Sequence, residues 1–417
     1  MKKYFNINPT VYFLDNDKEG VLYNTITGDV IKLSSNQLEE LKFAVNGINC
    51  SKEDEIRNTF FNELIDKGVG NFYDYNVNIE ETHWGTNKYF ENLSGLRNQI
   101  EIVQIELTNK CDLNCEFCDI ESNLIFRKTG CKKWKLKGFE LDEKEILYII
   151  EQISLLGCKR VEVFGGDPII EWDKLKYLIK ISKEFGINDI VVHTNGIRLN
   201  EEKVMYFKEN MIKCTLHLLN IYENKQMIGI GNDFDYSELI NLLNTKKIDY
   251  MVKLLIYRGN EDCFKEIIEF LKVNEIPYYI DFIYKNPENT FYSNKFLSTI
   301  NDYRNNLVRC NPYNLGLLML KNSCYYNRIA ISADGNVYPC ILSRSEKYGN
   351  IRETSISKIL GDKYKYYKSL SKDKYKYCNK CLYRYACVTC TAIDLSASDD
   401  ELTCKNCSLI GVKIGNK

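Results

Sequence analysis

Residues 100–118 read "IEIVQIELTNKCDLNCEFC". Aliphatic residues dominate the first nine positions, as in a buried strand. Directly after them, Cys111, Cys115 and Cys118 stand in the spacing C-x3-C-x2-C. An iron–sulfur cube ordinarily takes four thiolates, one per iron. Three thiolates on one loop leave an iron with an open position, where a small molecule can chelate. A zinc knuckle is the alternative reading of such a triplet.

The plan of that stretch repeats downstream. Strand-like runs recur at "KRVEVFGG", "DIVVHTNG", "IKCTLHLL", "DYMVKLLIY" and "IPYYIDFIY". Amphipathic segments such as "LDEKEILYIIEQISLLG" and "DCFKEIIEFLKVN" lie between them, with apolar residues at three- and four-residue steps. Six βα units predict parallel strands with the ligand site at their C-terminal ends. The cysteine triplet, following the first strand, falls on that rim. Paired glycines end the second strand in "VEVFGGDP" (161–168), and glycine lets backbone approach a ligand closely.

The flanks are built differently. "TVYFLD", "GVLYNT" and "GDVIKL" read as short strands, and "SSNQLEELKFAV" and "SKEDEIRNTFFNELIDKG" as helices opened by Ser caps. Beyond residue 300 the alternation stops and cysteines crowd from Cys310 to Cys407. Such a tail has too little apolar sequence for its own core, and metal clusters are expected to organise it. "DKYKYYKSLSKDKYKYCNKCLYRY" (362–385) interleaves basic and aromatic residues. That pattern suits a nucleic-acid surface, but in a chain rich in Lys and Tyr it is expected to be a solvated helix face.

The totals narrow the classes. A chain of 417 residues suggests two or three domains, and 56 basic against 57 acidic residues set up no field for a polyanion or a membrane. No apolar run approaches the ~18 residues of a membrane span. The start, "MKKYFNINPTVYFLD", lacks the apolar core of a signal peptide, so a cytoplasmic location is expected. In a reducing compartment an odd total of 17 cysteines fits metal ligation better than a disulfide framework. Three histidines leave little room for His-rich metal sites.

"CDLNCEFC" resembles the signature of the radical S-adenosylmethionine (SAM) superfamily. The resemblance implies a [4Fe–4S] cube on Cys111, Cys115 and Cys118 whose free iron chelates S-adenosylmethionine. It also implies Phe117 against the adenine, and Gly165, Gly166, Asp167 and Pro168 in place of a family Gly-Gly-Glu-Pro that contacts the methionyl amino group. Asp167 is a departure from that motif. Asn195 in "HTNG" and Thr215 in "CTLHLLN" match further cofactor-contacting positions. A family Arg expected after Thr215 has no counterpart in "MIGIGNDFD" (227–235).

The tail resembles the SPASM domain, which carries two auxiliary [4Fe–4S] clusters. Matched by order, one would use Cys324, Cys340, Cys390 and Cys310. The other would use Cys378, Cys381, Cys387 and either Cys404 or Cys407. The gap before Cys390 is one residue shorter than the family's. A rubredoxin-like or zinc-ribbon tail is the alternative.

Residues 1–80 resemble the winged-helix-like leader-recognition element of peptide-modifying enzymes. The implied fold is α/β: a partial (β/α)6 TIM-like barrel at 100–290, an N-terminal peptide-recognition domain, a linker at 81–99, and a cysteine-rich region at 291–417. The implied activity is that of a radical SAM oxidoreductase maturing a precursor peptide with a leader. A thioether link is the first expectation, and an external donor such as flavodoxin or ferredoxin supplies electrons. Sulfatase-type oxidation of Ser or Cys, peptide epimerisation and RNA modification are the alternatives. No membrane or nucleic-acid partner is expected, and the catalytic acid, base or hydrogen donor is left open. Cys50, Cys131, Cys158, Cys214 and Cys263 read as small hydrophobes, with Cys131 and Cys214 nearest the rim.

Overall fold

The computed structural model describes residues 4–46, 55–77, 100–113, 139–218, 234, 236–256, 263–282, 308–344, 346–395 and 402–404, the side chains of 55–58, 282 and 393 excepted. Two compact units emerge, and they do not follow chain order. Met1–Leu96, Asn305–Tyr326 and Lys368–Lys417 form one, and Arg97–Arg304 with Asn327–Tyr367 the other. Among the described residues no helix is long and apolar enough to cross a membrane.

The first unit begins with β1 (Tyr4–Ile7), β2 (Val11–Asp15), β3 (Gly20–Asn24) and β4 (Val30–Leu33). β2, β3 and β4 form an antiparallel meander. Helix α1 (Ser35–Val45) starts at the expected cap: Ser34 Oγ accepts from Gln37 N, and the Gln37 side chain accepts from Ser34 N. Leu38, Leu41 and Ala44 turn inward at helical spacing against Phe5, Leu22 and Leu33, with Phe61 and Leu64 of α2 (Glu55–Asp66) completing the cluster. The expected Ser51 cap of α2 lies outside the described residues. β5 (Gly70–Tyr73) then returns to pair antiparallel with β1.

Every residue of β3 is buried, because both faces of the strand are covered. Leu22 faces the helices, while Val21 and Tyr23 pack with Cys310, Leu315, Leu382, Tyr385 and Ala386. The Tyr23 hydroxyl donates to the carbonyl of Leu382. The tail therefore shares an apolar core with the N-terminal meander. The tail, expected to lack a core of its own, thus borrows part of one from β3.

The second unit carries the alternation seen in the sequence. Strands β6 (Ile102–Thr108), β7 (Arg160–Gly165), β8 (Asp189–Thr194), β9 (Lys213–Leu218), β10 (Tyr250–Ile256) and β11 (Tyr278–Phe282) are parallel, each bonded to the next. Helices α3 (Glu143–Leu155), α4 (Trp172–Glu184), α5 (Glu201–Glu209), α6 (Tyr236–Lys246) and α7 (Phe264–Val273) intervene. Asp142 and Glu145 form the capping box of α3, whose Ile146, Ile149, Ile150 and Ile153 make one apolar stripe. On the free edge of β6 the sheet continues with parallel β12 (Arg328–Ile331), then antiparallel β13 (Asn336–Tyr338) and β14 (Gly349–Asn350). This is an α/β fold on a mostly parallel sheet.

Candidate active site

The loop after β6 is clamped by its neighbours. Gly166 N donates to Thr108 O at 2.9 Å and Asp167 N to Lys110 O at 2.8 Å. A Cβ on Gly165 would lie 2.3 Å from Thr108 O, and one on Gly166 2.0 Å from Lys110 O. The paired glycines are thus demanded by the backbone that leads into Cys111. Lys110 is held by Glu140 and by Glu171 at 2.8 Å, and Arg198 Nη2 reaches Asp112 at 2.9 Å. Cys111 is half-buried, and Asn195 Nδ2 donates to its Sγ at 3.7 Å. Hydrogen bonds to ligating sulfur tune an iron–sulfur centre.

Asp167 is tied into the protein on several sides. It is fully buried and caps the short helical turn Pro168–Glu171 by accepting from Ile169 N at 2.9 Å. Its oxygens also accept from Thr194 Oγ1 at 3.0 and 2.8 Å and from Asn195 N at 3.0 Å. Two carboxylate oxygens offer about four lone-pair sites, and three protein donors occupy all but one of them. Asp167 thus braces the ends of β7 and β8 to each other. Burial, opposed by those bonds, pushes its pKa up to about 6. Pro168 and Thr215 are buried as well.

The two faces of the sheet differ. Val161, Val163, Val192, Leu216, Val252 and Leu254 pack into the main apolar cluster. Cys214 lies among them rather than at the rim, and burial pushes its thiol up to about 12. The other face, one step out of register with these, mixes apolar residues such as Phe164 and Leu255 with a set of polar ones. His193 stacks on Phe164 at 3.9 Å, and its Nδ1 lies 3.1 Å from His217 Nε2. Burial, and then the nearby Lys253 charge, holds the His193 pKa well below the ordinary histidine range. Lys253 Nζ lies 3.1 Å from Asp281 Oδ2, with both side chains buried. Burial opposes the Lys253 charge, but Tyr279 and Asp281 keep its pKa raised. This polar set was not legible in the sequence, because His193, His217, Lys253 and Asp281 come from four strands whose register alone brings them together.

In the first unit, Asn322 organises two of the tail cysteines. Its Oδ1 accepts from the backbone N of Cys324 at 2.8 Å, and its Nδ2 donates to Leu370 O and Thr391 Oγ1, each at 3.0 Å. Thr391 follows Cys390, so Cys324 and Cys390 are drawn to one place. Cys378 and Cys404 pack together with Tyr375. Cys381 is half-buried, Cys387 is buried, and Cys310 lies in the core shared with β3, where burial raises its thiol to about 11. In the second unit, Cys340 is buried with Sγ 3.6 Å from Ser343 Oγ. None of these cysteines forms a disulfide. Among the described residues no three His, Cys, Asp or Glu side chains are arranged to hold a single metal ion. Unbridged thiols are the ligand type that iron–sulfur clusters require. Asn322 could have been sought as an Asx turn two residues before a cysteine.

Cys115, Cys118, Phe117 and Cys407 lie outside the described residues, as do Cys50 and Cys131. Cys158 is buried, with Sγ 3.2 Å from Arg160 O. The basic-aromatic stretch is no continuous stacking platform. Tyr364 and Tyr367 are buried in one unit and Tyr375 and Tyr385 in the other, while Tyr366 and Tyr377 face solvent.

Residues 105–271 match the family model of the Radical SAM superfamily, and residues 324–382 that of SPASM, an iron–sulfur cluster-binding domain. The chain is similar to GTP 3',8-cyclase of Aquifex aeolicus, with 27% identity over 172 residues, 39% of this chain and 49% of the cyclase. Similarity to GTP 3',8-cyclase of Clostridium perfringens strain 13 is 31% over 136 residues, 32% of this chain and 39% of the cyclase. The chain therefore spans about half or less of the length of these relatives. Streptococcus suis SuiB bound to precursor peptide SuiA aligns with a TM-score of 0.53 at 17% identity, covering 97% of this chain and 98% of that one. anSMEcpe with bound AdoMet aligns with a TM-score of 0.54 at 16% identity, covering 73% and 92%. At these identities the structural likeness shows the fold alone.

Proposed function

Because the chain carries a radical SAM domain and a SPASM iron–sulfur domain, we propose that it matures a ribosomally made precursor peptide, closing a thioether or another crosslink. Cys111, Cys115 and Cys118 would hold the open cube. Phe117, Gly165, Gly166, Asp167, Pro168, Asn195 and Thr215 would surround S-adenosylmethionine. On a reduced cube, S-adenosylmethionine supplies a 5'-deoxyadenosyl radical. The tail cysteines would hold two auxiliary clusters. The polypeptide's share is orientation and dryness: Asp167 and Asn195 fix the rim, and the polar sheet face with His193, His217, Lys253 and Asp281 meets the peptide residue.

One observation carries the peptide reading over the sulfatase-type one. Likeness to SuiB, solved with a precursor peptide bound, extends over 97% of this chain, against 73% for anSMEcpe. The N-terminal meander, with outer strands β2 and β4, suits capture of an extended leader by strand addition.

The test is 5'-deoxyadenosine release from anaerobically reconstituted protein given dithionite and S-adenosylmethionine, beside Cys115→Ala. Release lost in the variant is the expected result. Short peptides encoded beside the gene are then assayed by mass. Loss of two hydrogens supports a crosslink, whereas deuterium uptake without that loss means epimerisation. Turnover of GTP in place of peptide would transfer the chain to the cyclase reading.

A further inference from the structure

In sequence, "SLSKDKYKYCNKC" (369–381) looks like a solvated lysine-rich run. Lys372 breaks that pattern, with a side chain only 9% exposed. Its Nζ lies 3.2 Å from Asp394 Oδ2, donates to Thr389 Oγ1, and sits 4.1 Å above the centroid of the Tyr375 ring. Thr389 Oγ1 in turn donates to Asp394 at 2.9 Å. The buried Tyr375 packs with Cys378 and Cys404, and Lys376 N donates to Leu402 O at 2.9 Å, tethering the segment that carries Cys404. Burial opposes the Lys372 charge, but Asp394, Tyr375 and, more weakly, Cys404 and Cys378 keep its pKa raised.

A buried ion pair is weak evidence for a stabilising role, since well-packed apolar groups of the same size often do as well. Beside a set of cysteines the ammonium has another use. An iron–sulfur cube on four thiolates is an anion, and one-electron reduction makes it more so. Its potential depends on nearby charge and burial. A cation fixed in a dry site favours the reduced form.

Resting on the reading that Cys378, Cys381, Cys387 and Cys404 hold an auxiliary cluster, we propose that Lys372 is a positioning residue whose buried ammonium raises that cluster's reduction potential. Asp394 and Thr389 hold the ammonium in place. Removing the lysine alone deletes one positive charge and leaves the carboxylate, so the effect has a single sign.

The test compares Lys372→Met and Lys372→Arg in the full chain, reconstituted anaerobically. Each is titrated with dithionite and one-electron mediators and followed by electron paramagnetic resonance. The relevant wave is the one missing from a Cys378→Ala/Cys381→Ala variant. Lys372→Met is expected to keep its iron and shift this wave to more negative potential, with the other waves unmoved and Lys372→Arg near wild type. A wave that stays put at full iron overturns the proposal and leaves the cluster reading intact. If Lys372→Met loses this cluster's iron and Lys372→Arg retains it, the requirement for charge is upheld. If both lose it equally, Lys372 only fills space and the proposal falls. Wild-type protein lacking the wave altogether sinks the cluster reading instead.

Discussion

Asp167 is a carboxylate buried without a cation bonded to it, and its protonation follows from that. Its raised pKa means that the folded chain still binds a proton which the unfolded chain has released, between about pH 4 and about 6. Stability from this group is therefore full at the acid end and declines as pH rises to about 6. Asp167→Asn is expected to flatten that slope in thermal unfolding measured across the interval. An unchanged slope would assign it to other groups. At this scale the sequence was legible where a local pattern has a steric cause, as with the glycine pair. It was silent where the partner comes from another strand. The carbonyl of Lys110 that excludes a Cβ from Gly166, and the Thr194 hydroxyl bonded to Asp167, become neighbours only once β6, β7 and β8 lie side by side.

Among the elements, the β12–β13 hairpin rests on Gly335, the glycine of the tail motif. Its φ of +81° lies in the left-handed region, and an added Cβ would meet Asn350 Oδ1 at 3.0 Å. Gly335→Ala is expected to cost about 1–2 kcal/mol in chemical denaturation. Gly361→Ala, where the nearest contact would be 3.8 Å away, is the mild control. Equal effects of the two substitutions would remove the turn as the cause. The six parallel strands were readable because they are apolar runs separated by amphipathic helices. β1 and β5 were not, being four residues each and paired across two helices. Nor was β12, since "RIAI" carries no local mark of pairing with β6, far earlier in the chain.

For the whole molecule, the shared core of the first unit sets what truncation can reveal. Deleting residues 1–77 removes Val21 and Tyr23 from contact with Leu315, Leu382 and Tyr385. Each buried side chain of this kind is worth about 1.5–3 kcal/mol. The truncated chain is expected to lose iron from its tail cysteines and to be cleaved there by protease, while far-ultraviolet circular dichroism still reports the barrel. Retention of all tail iron would show that the tail holds its shape without the meander. A deletion of residues 1–77 therefore cannot separate a role of the N-terminal segment from collapse of the tail.

The bond from Tyr23 to Leu382 joins residues 359 positions apart. A ribosome adding roughly 5–20 residues per second needs on the order of tens of seconds to cover that distance. Throughout that interval one face of β3 waits without its cover, carrying the apolar side chains that a chaperone or a second nascent chain would grip. The first strands made are thus among the last to be finished. Slowing their exposure to other chains, by cooler growth or sparser translation, should raise the yield of soluble protein more than any change within the barrel.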